Sequence, residues 1–411
     1  MVSLPQEDLA RGQKSRTKVG PVRRDSTMAA APSAGMSLKE RLDLVRNADW
    51  NFTGAKTQQG VHRIHPYPAR FIPQLPRHLI RFLHPGDGSA VVDPFCGSGT
   101  TLVEALAAGY PAIGIDVNPI ATLIARVKTR APARRVFPVA CQAVEAAATH
   151  NAFIPPIPRV DHWFERSVQQ ALSGLVAALA DVKDDAVRQA LRVALSSIIV
   201  RVSNQESDTR YAAVKKRVSA KHVYDLFKRA ANDMDRAYTE QFGGLFWERS
   251  SDVRIINKDI LMATQADIGG EVGLVVTSPP YPNAYEYWLY HKYRMYWLGM
   301  DPIAARKAEI GARPDYFKKN HKTEADFEQQ MTQVFGLLAS VMSPIALACF
   351  VVGRSIIHGR TIDNVALLER AAFHHGFRRL LVVERAIPAT RKAFNPVHST
   401  INAESVVVFG R

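Results

Sequence analysis

Two short segments carry side chains whose types and spacing could do chemistry: Asp93-Pro-Phe-Cys-Gly-Ser-Gly-Thr100 and Thr277-Ser-Pro-Pro-Tyr281. In the first, Gly97 and Gly99 let the backbone approach a ligand closely, because no Cβ intervenes and positive φ costs little. A helix N-terminus behind such a turn favours negative charge. A glycine-rich turn by itself could serve NAD, FAD or a phosphate. The acidic strand end, with Pro94 and Phe95 before the first glycine, is more specific. Asp93 can accept hydrogen bonds from a ligand's ammonium group, which a pyrophosphate does not offer. Asp116 ends the next apolar run, at the place where a carboxylate reaches ribose hydroxyls in a doubly wound fold. The plainer alternative is a cap for a helix that opens at Asn118-Pro119. Asp259, just past a third strand, is a candidate acceptor for an adenine amino group or a plain turn residue.

The second segment follows a strand of continuous apolar character. Two prolines end sheet pairing and stiffen the chain into a fixed loop, and loops at strand carboxyl ends are where open α/β sheets bind ligands. The Ser278 hydroxyl and the Pro279 carbonyl can act as two acceptors for one amino group, Pro280 stiffens the turn, and Tyr281 supplies an aromatic face. An exocyclic amino nitrogen is a poor nucleophile, since its lone pair is delocalised into the ring. Two acceptors holding its hydrogens favour a tetrahedral nitrogen whose lone pair can attack a methyl carbon. A base inside a duplex cannot be presented in this way, so it would be flipped out and stacked on an aromatic ring. The plainer reading is a structural Pro-Pro turn with a core tyrosine.

Taken together the segments resemble the DNA amino-methyltransferases. Asp93 to Thr101 is similar to that family's methionine-binding motif, with Ser98 and Thr100 inside it, and Thr277 to Tyr281 to its catalytic motif. His65-Pro-Tyr-Pro-Ala-Arg-Phe71 resembles the segment that lines the cofactor, which brings Phe71 into the expected site. The resemblance implies S-adenosylmethionine as methyl donor and double-stranded DNA as partner. It also implies contact of Ser278 and Pro279 with the target amino group and stacking of Tyr281 on the base. Serine at 278 resembles the enzymes that make N4-methylcytosine more than those that make N6-methyladenine. A cytosine-carbon methyltransferase would need a Pro-Cys nucleophile, and no cysteine lies near 277–281. Alternatives of other classes are an RNA guanine-amino methyltransferase and a catalytically silent DNA-binding protein of the same fold. A cognate restriction or defence nuclease is the further partner expected unless the enzyme is solitary.

The elements that must position these residues follow from the apolar pattern. Ala90–Asp93, a helix over 101–108 and Ala112–Asp116 form a β-α-β unit. Strand signals return at 253–256, 273–277, 346–352, 379–384 and 405–409, about seven in all. This predicts an α/β, doubly wound, Rossmann-like seven-stranded sheet, which the resemblance makes a methyltransferase sheet. Residues 119–249 show helical periodicity instead, as in Val168, Leu172, Leu175 and Leu179. They read as a large α-helical insertion between the second and third strands, interrupted by the polar stretch 203–216. The family's usual orders place the recognition region elsewhere. Residues 37–118, 250–282 and 340–411 are expected to form the core, and 283–339 an aromatic and basic insertion beside the catalytic loop.

Composition sets the outer limits. Of 411 residues, 53 are Lys or Arg and 38 Asp or Glu, a formal charge of +15 that suits a polyanionic partner. Residues 1–36 read as a disordered basic tail. Three scattered cysteines argue against a zinc site or disulfide framework and agree with a reducing cytoplasm. No apolar run of about 18 residues supports a membrane span. Two stretches compete for contact with DNA: 203–217, which mixes amides with Arg210, Lys215, Lys216 and Arg217, and 285–322, where aromatics alternate with cations. Tyr285, Leu289, Tyr293 and Trp297 share one helical face and could instead be core. The loop 391–400 is a third candidate, in which His398 is assigned no role.

Overall fold

The structure, a computed structural model, describes residues 35–147, 153–208, 210–242, 252–282, 286–316, 321–387 and 403–411. Nearly all of the basic tail lies outside these residues, as do Tyr285, Lys318, Lys319 and the loop 391–400 with His398.

Seven strands form one sheet: β1 Ala90–Asp93, β2 Ala112–Asp116, β3 Val253–Asn257, β4 Val272–Thr277, β5 Met342–Gly353, β6 Arg378–Ala386 and β7 Ala403–Gly410. Their spatial order is β6-β7-β5-β4-β1-β2-β3. The β1–β2, β1–β4, β2–β3 and β4–β5 pairs are parallel, and β7 runs antiparallel to β5 and β6. This is the expected doubly wound, Rossmann-like seven-stranded sheet with its edge hairpin. The chain leaves β1 toward β2 and β3 on one side, then returns to lay β4 on the other. The switch point therefore lies between β1 and β4, whose carboxyl ends carry the two chemical segments.

The strands read as continuous apolar runs because both faces are covered. Val91, Leu274, Val276 and Cys349 face α1 (Leu38–Asn47), α2 (Gln74–Leu83) and α3 (Thr100–Ala108). Val92, Val275, Ala348 and Phe350 face the opposite layer. Alternate side chains thus serve two separate cores. In α2, Leu75, Leu79, Ile80 and Leu83 recur at helical spacing and are all buried, each contributing roughly 1.5–3 kcal/mol on full burial.

Helix α3 opens at Gly99, which has φ +78°, and a Cβ there would sit 2.8 Å from that of Ala125. Ala125 belongs to α4 (Pro119–Thr129), started by Asn118, whose side chain accepts from Ile120 N at 3.0 Å, with Pro119 in the first turn. Gly99 therefore serves two needs, a left-handed backbone and close packing of α3 on α4. Beyond α4 the expected helical region is present as α5 (Val136–Ala147), α6 (Arg166–Ala180), α7 (Asp185–Val202) and α8 (Ala220–Phe242). Their apolar faces share one cluster with α4 and with α9 (Tyr287–Trp297). The polar interruption at 203–216 holds a small antiparallel hairpin, Gln205–Ser207 paired with Arg210–Ala213. Among the described residues no helix is long and apolar enough to cross a membrane.

Candidate active site

The carboxyl ends of β1 and β4 are tied by a hydrogen bond between residues far apart in sequence. Thr277 Oγ1 donates to Asp93 Oδ1 at 2.6 Å, and the same oxygen accepts from Phe95 N at 3.1 Å. The Thr101 hydroxyl lies between Asp93 and Val276 O, 3.4 Å from the latter, and its single hydrogen can serve one of them at a time. The first residue of the Thr-Ser-Pro-Pro-Tyr segment is thus bonded to the acid of the glycine turn. Burial nevertheless raises the Asp93 carboxyl to about 6, against the lowering effect of these bonds.

Asp116 stands on the neighbouring strand end. Its Oδ2 accepts from Gly97 N and its Oδ1 from Asn118 N, both at 2.8 Å. Burial, with the nearby Asp93 charge as a smaller contribution, raises it to about 6 as well. Both readings of Asp116 therefore hold: it braces the turn before α4 and also walls the cleft. Asp259 is similar. Its Oδ1 accepts from Leu261 N at 3.0 Å to open a short helical turn, and the residue lines the same cleft.

That cleft encloses about 920 Å³ of empty space, counting the part open to solvent. Asp93, Pro94, Phe95, Gly97, Ser98 and Thr100 form one wall, and Phe71 closes one side. Ser278 and Pro280 reach it from β4. Gly99, Pro279 and Tyr281 do not line it. Gly99 is occupied with α4, Pro279 is buried, and Tyr281 packs on the core of the β5 layer. Gly311, at φ +76°, lies behind the loop, and a Cβ on it would come within 2.8 Å of Tyr281 O.

Several cleft residues go beyond the site residues singled out from sequence, although most lie in the segments 65–71 and 283–339 expected beside the site. Tyr67 stacks on His291 at 4.9 Å and on Tyr287 at 5.8 Å between ring centroids. Tyr287 and Trp288, from the expected aromatic insertion, stand at the cleft, whereas Tyr293 and Trp297 of the same helix are core. Glu309 is buried at the cleft and accepts from Tyr287 N at 2.6 Å and Trp288 N at 3.2 Å, capping α9 from outside it. Burial is the main cause that lifts its carboxyl to about 8, with Glu286 and Asp116 adding to it. A cap supplied by a residue some twenty positions downstream leaves no local sequence signal. Among the described residues no group of three or more His, Cys, Asp or Glu side chains is placed to hold a metal.

Comparison with known proteins agrees with this arrangement. A family described as DNA methylase matches residues 12–126. The Type II methyltransferase M.MvaI of Kocuria varians is 27% identical over 258 residues, 57% of this chain and 56% of that protein. M.MjaII of Methanocaldococcus jannaschii is 50% identical over 68 residues, 16% of this chain and 13% of its own. M.AvaI of Nostoc sp. is 24% identical over 248 residues, 55% of this chain and 51% of that protein. The chain thus spans about half the length of M.MvaI and M.AvaI. Two solved structures show only distant likeness. A TehB-like SAM-dependent methyltransferase from Corynebacterium glutamicum is 10% identical at a TM-score of 0.31, covering 82% of this chain and 86% of its own. The rRNA methyltransferase aviRa from Streptomyces viridochromogenes is 16% identical at 0.32, covering 93% and 96%. Over residues 12–126 the chain is thus similar to a DNA methylase family, and over about half its length to Type II methyltransferases.

With Asp93 and Asp116 raised to about 6, both are ionised above that pH and neutral below it. A ligand that presents an ammonium group to them should therefore bind more weakly as the pH falls through about 6, by roughly tenfold per pH unit for each carboxylate that must ionise. Calorimetric titration with S-adenosylhomocysteine between pH 5 and 8 checks this; a flat affinity across that range would contradict it.

Proposed function

We propose that the protein transfers a methyl group from S-adenosylmethionine to an exocyclic amino group of a flipped base in double-stranded DNA, N4 of cytosine rather than N6 of adenine. The observation that carries this reading is the Thr277–Asp93 bond, which joins the glycine turn and the Ser-Pro-Pro-Tyr loop in one cleft. The cleft's chemistry fits the donor. Two buried carboxyls suit a ligand bearing an ammonium and a sulfonium, and Gly97 leaves backbone open where a Cβ would approach the Tyr67 ring at 3.5 Å. S-adenosylmethionine, when bound, supplies an electrophilic methyl carbon on a sulfonium, which needs neither a metal nor a covalent enzyme intermediate.

The chain's own residues then divide the work. Asp93 accepts from the ammonium group, Asp116 from the ribose hydroxyls and Asp259 from the adenine amino group, while Phe71, Pro94 and Phe95 supply apolar walls. Ser98 and Thr100 extend the polar edge of the turn. On the other side, the Ser278 hydroxyl and the Pro279 carbonyl accept from the target amino group. Its nitrogen lone pair is thereby turned toward the donor, and Tyr281, which packs on the β5 layer outside the cleft, would have to turn toward it to stack on the base. Serine at 278 favours cytosine, by its resemblance to the N4-specific enzymes. The Type II designation of the relatives suits a chain that protects the site of a cognate restriction nuclease.

DNA sequence would be read by the hairpin Gln205–Ser207 and Arg210–Ala213 in the helical insertion. Tyr211 Oη and Tyr293 Oη are 2.6 Å apart, and Asp208 pairs with the buried Arg294, so the hairpin is fixed to α9. Tyr287, at the cleft, lies six residues before Tyr293 on α9, about 9 Å along the axis. That distance is close to three base-pair steps of about 3.4 Å. Arg210, Lys215 and Arg217 are exposed here, and Lys292 lies over the Tyr211 ring at 4.8 Å. Asn204 and Lys216 are instead spent on backbone partners.

Incubation with methyl-labelled S-adenosylmethionine and duplex DNA, single-stranded DNA or RNA, followed by nucleoside analysis, tests the reaction. Labelled N4-methylcytosine in duplex DNA is expected. N6-methyladenine would overturn the choice of base alone, and label confined to RNA would overturn the DNA reading. For the hairpin, joint replacement of Lys215 and Arg217 by alanine should lower the salt dependence of DNA binding by about 0.9 for each phosphate no longer neutralised. An unchanged slope would place the DNA elsewhere.

A further inference from the structure

Glu309 follows α10 (Pro302–Ala308) and is buried in the wall of the cleft. Two residues on, Gly311 packs against the proline loop: a Cβ there would stand 2.8 Å from Tyr281 O and 3.6 Å from Pro280 C. The acid is thereby set beside the Ser-Pro-Pro-Tyr loop, while the Asp116 charge reaches it from the glycine-turn side. Its oxygens accept the first two N–H groups of α9, Oε1 from Tyr287 at 2.6 Å and Oε2 from Trp288 at 3.2 Å.

A buried carboxylate needs a cation or a full set of donors to stay charged. Among the described residues no cation pairs with Glu309, and the charges that act on it are two other acids, Glu286 and Asp116. Its other neighbours are the phenols of Tyr67 and Tyr287, and Arg306 of α10 lies over the Trp288 ring at 5.1 Å. Burial and the two acids outweigh the two N–H groups, so the carboxyl keeps its proton up to about pH 8. A protonated carboxyl is a donor as well as an acceptor. Oε2, with the longer backbone bond, is the oxygen better placed to carry the hydrogen. Beside the proline loop the cleft therefore presents a hydrogen-bond donor.

A base that is to be methylated brings its amino group to that loop. The ring atom bonded to the same carbon is N3 in cytosine and N1 in adenine, and each is a bare acceptor. Guanine and thymine carry N–H at the matching position beside a carbonyl. Flipped bases are read by hydrogen bonds to this edge.

We propose that Glu309, as a neutral carboxylic acid, donates a hydrogen bond to the ring nitrogen beside the target amino group and so rejects bases that carry N–H there. It is a specificity-determining residue, and it checks the ring edge while Ser278 and Pro279 take the amino group. The assignment rests on methyl transfer to a base taking place in this cleft. Ionised, Glu309 has no hydrogen to give and repels the nitrogen lone pair. The contact is therefore present below about pH 8 and lost as the pH rises through it. Burial holds the Tyr67 and Tyr287 phenols above their usual range, and Asp116 titrates lower, at about 6.

The test follows methyl transfer from labelled S-adenosylmethionine to plasmid duplex DNA between pH 7 and about 9.5, for the full chain, Glu309→Gln and Glu309→Ala. Glutamine keeps a carbonyl for Tyr287 N and a neutral donor at every pH; alanine keeps neither. Calorimetry with S-adenosylhomocysteine at pH 7.5 reports on the fold and the donor end. Transfer by the unmodified protein should fall roughly tenfold per pH unit above about 8. The glutamine variant should stay within about twofold over the same range, and the alanine variant should be at least tenfold slower at pH 7.5. All three should bind S-adenosylhomocysteine within about twofold of one another. Should Glu309→Ala fail to fold, the glutamine profile alone decides. A level profile for the unmodified protein, or a glutamine profile that falls with it, would overturn the assignment. So would weakened S-adenosylhomocysteine binding by Glu309→Gln, which would make the acid part of the donor end. An unmodified protein that binds S-adenosylhomocysteine but methylates no DNA would overturn the proposed reaction itself, and this assignment with it.

Discussion

The hydrogen bond from Thr277 to Asp93 is the constraint on which the rest of the site depends. It bridges β4 and β1 at the switch point of the sheet, where the chain has turned back on itself after the whole helical insertion. Neither the glycine turn nor the Ser-Pro-Pro-Tyr loop makes a cleft alone. Once β1 and β4 are neighbours, the bond fixes the turn's acid against the first residue of the loop. Buried hydrogen bonds to a charged group contribute about 1.5–3 kcal/mol, enough to hold a preferred arrangement of the two loops. The cost is a carboxyl kept out of water and raised to about 6.

The remaining parts reach the cleft from elements that belong to other layers. The Tyr67 ring is stacked against His291 and Tyr287, so the segment before α2 and the helix after the loop meet over the glycine turn. His65 is held by Ser196 of α7 at 2.9 Å, which extends the contact into the helical insertion. Glu309 closes the opposite side by capping α9, and Gly311 packs directly on the loop backbone. The helical insertion and the aromatic segment are therefore not appended to the sheet. The aromatic segment lines the cleft, and the helical insertion backs it through the contact with His65 and carries the surface proposed to read DNA.

What is legible in the sequence is what has a local signal. The central strands announce themselves as short apolar runs, because helices cover both faces, and the expected runs agree with the observed strands to within a few residues at most ends, even for the more exposed edge strands β3 and β6. The glycine turn and the proline loop are legible because their residue types impose backbone geometry by themselves. Asp116 and Asp259 read as either ligand acceptors or caps, and each makes cap-like bonds while facing the cleft. The hairpin at 205–213 looks only like a polar gap, since strands of three and four residues leave no clear alternation. Tyr67 lies in the segment 65–71 that the resemblance already brings to the cofactor, whereas Glu309 gives no warning at all, because its role comes from contacts across the fold.

The most direct test removes the central bond while leaving the shape of the strand end. Thr277→Val deletes the hydroxyl that donates to Asp93, which should push the Asp93 carboxyl up further and loosen the loop from the turn. Methyl transfer to duplex DNA should fall at least tenfold, and the pH at which S-adenosylhomocysteine binding weakens should move above about 6. A variant with unchanged transfer and an unchanged pH midpoint would show that the two segments work without the bond, and would contradict its central place in the site.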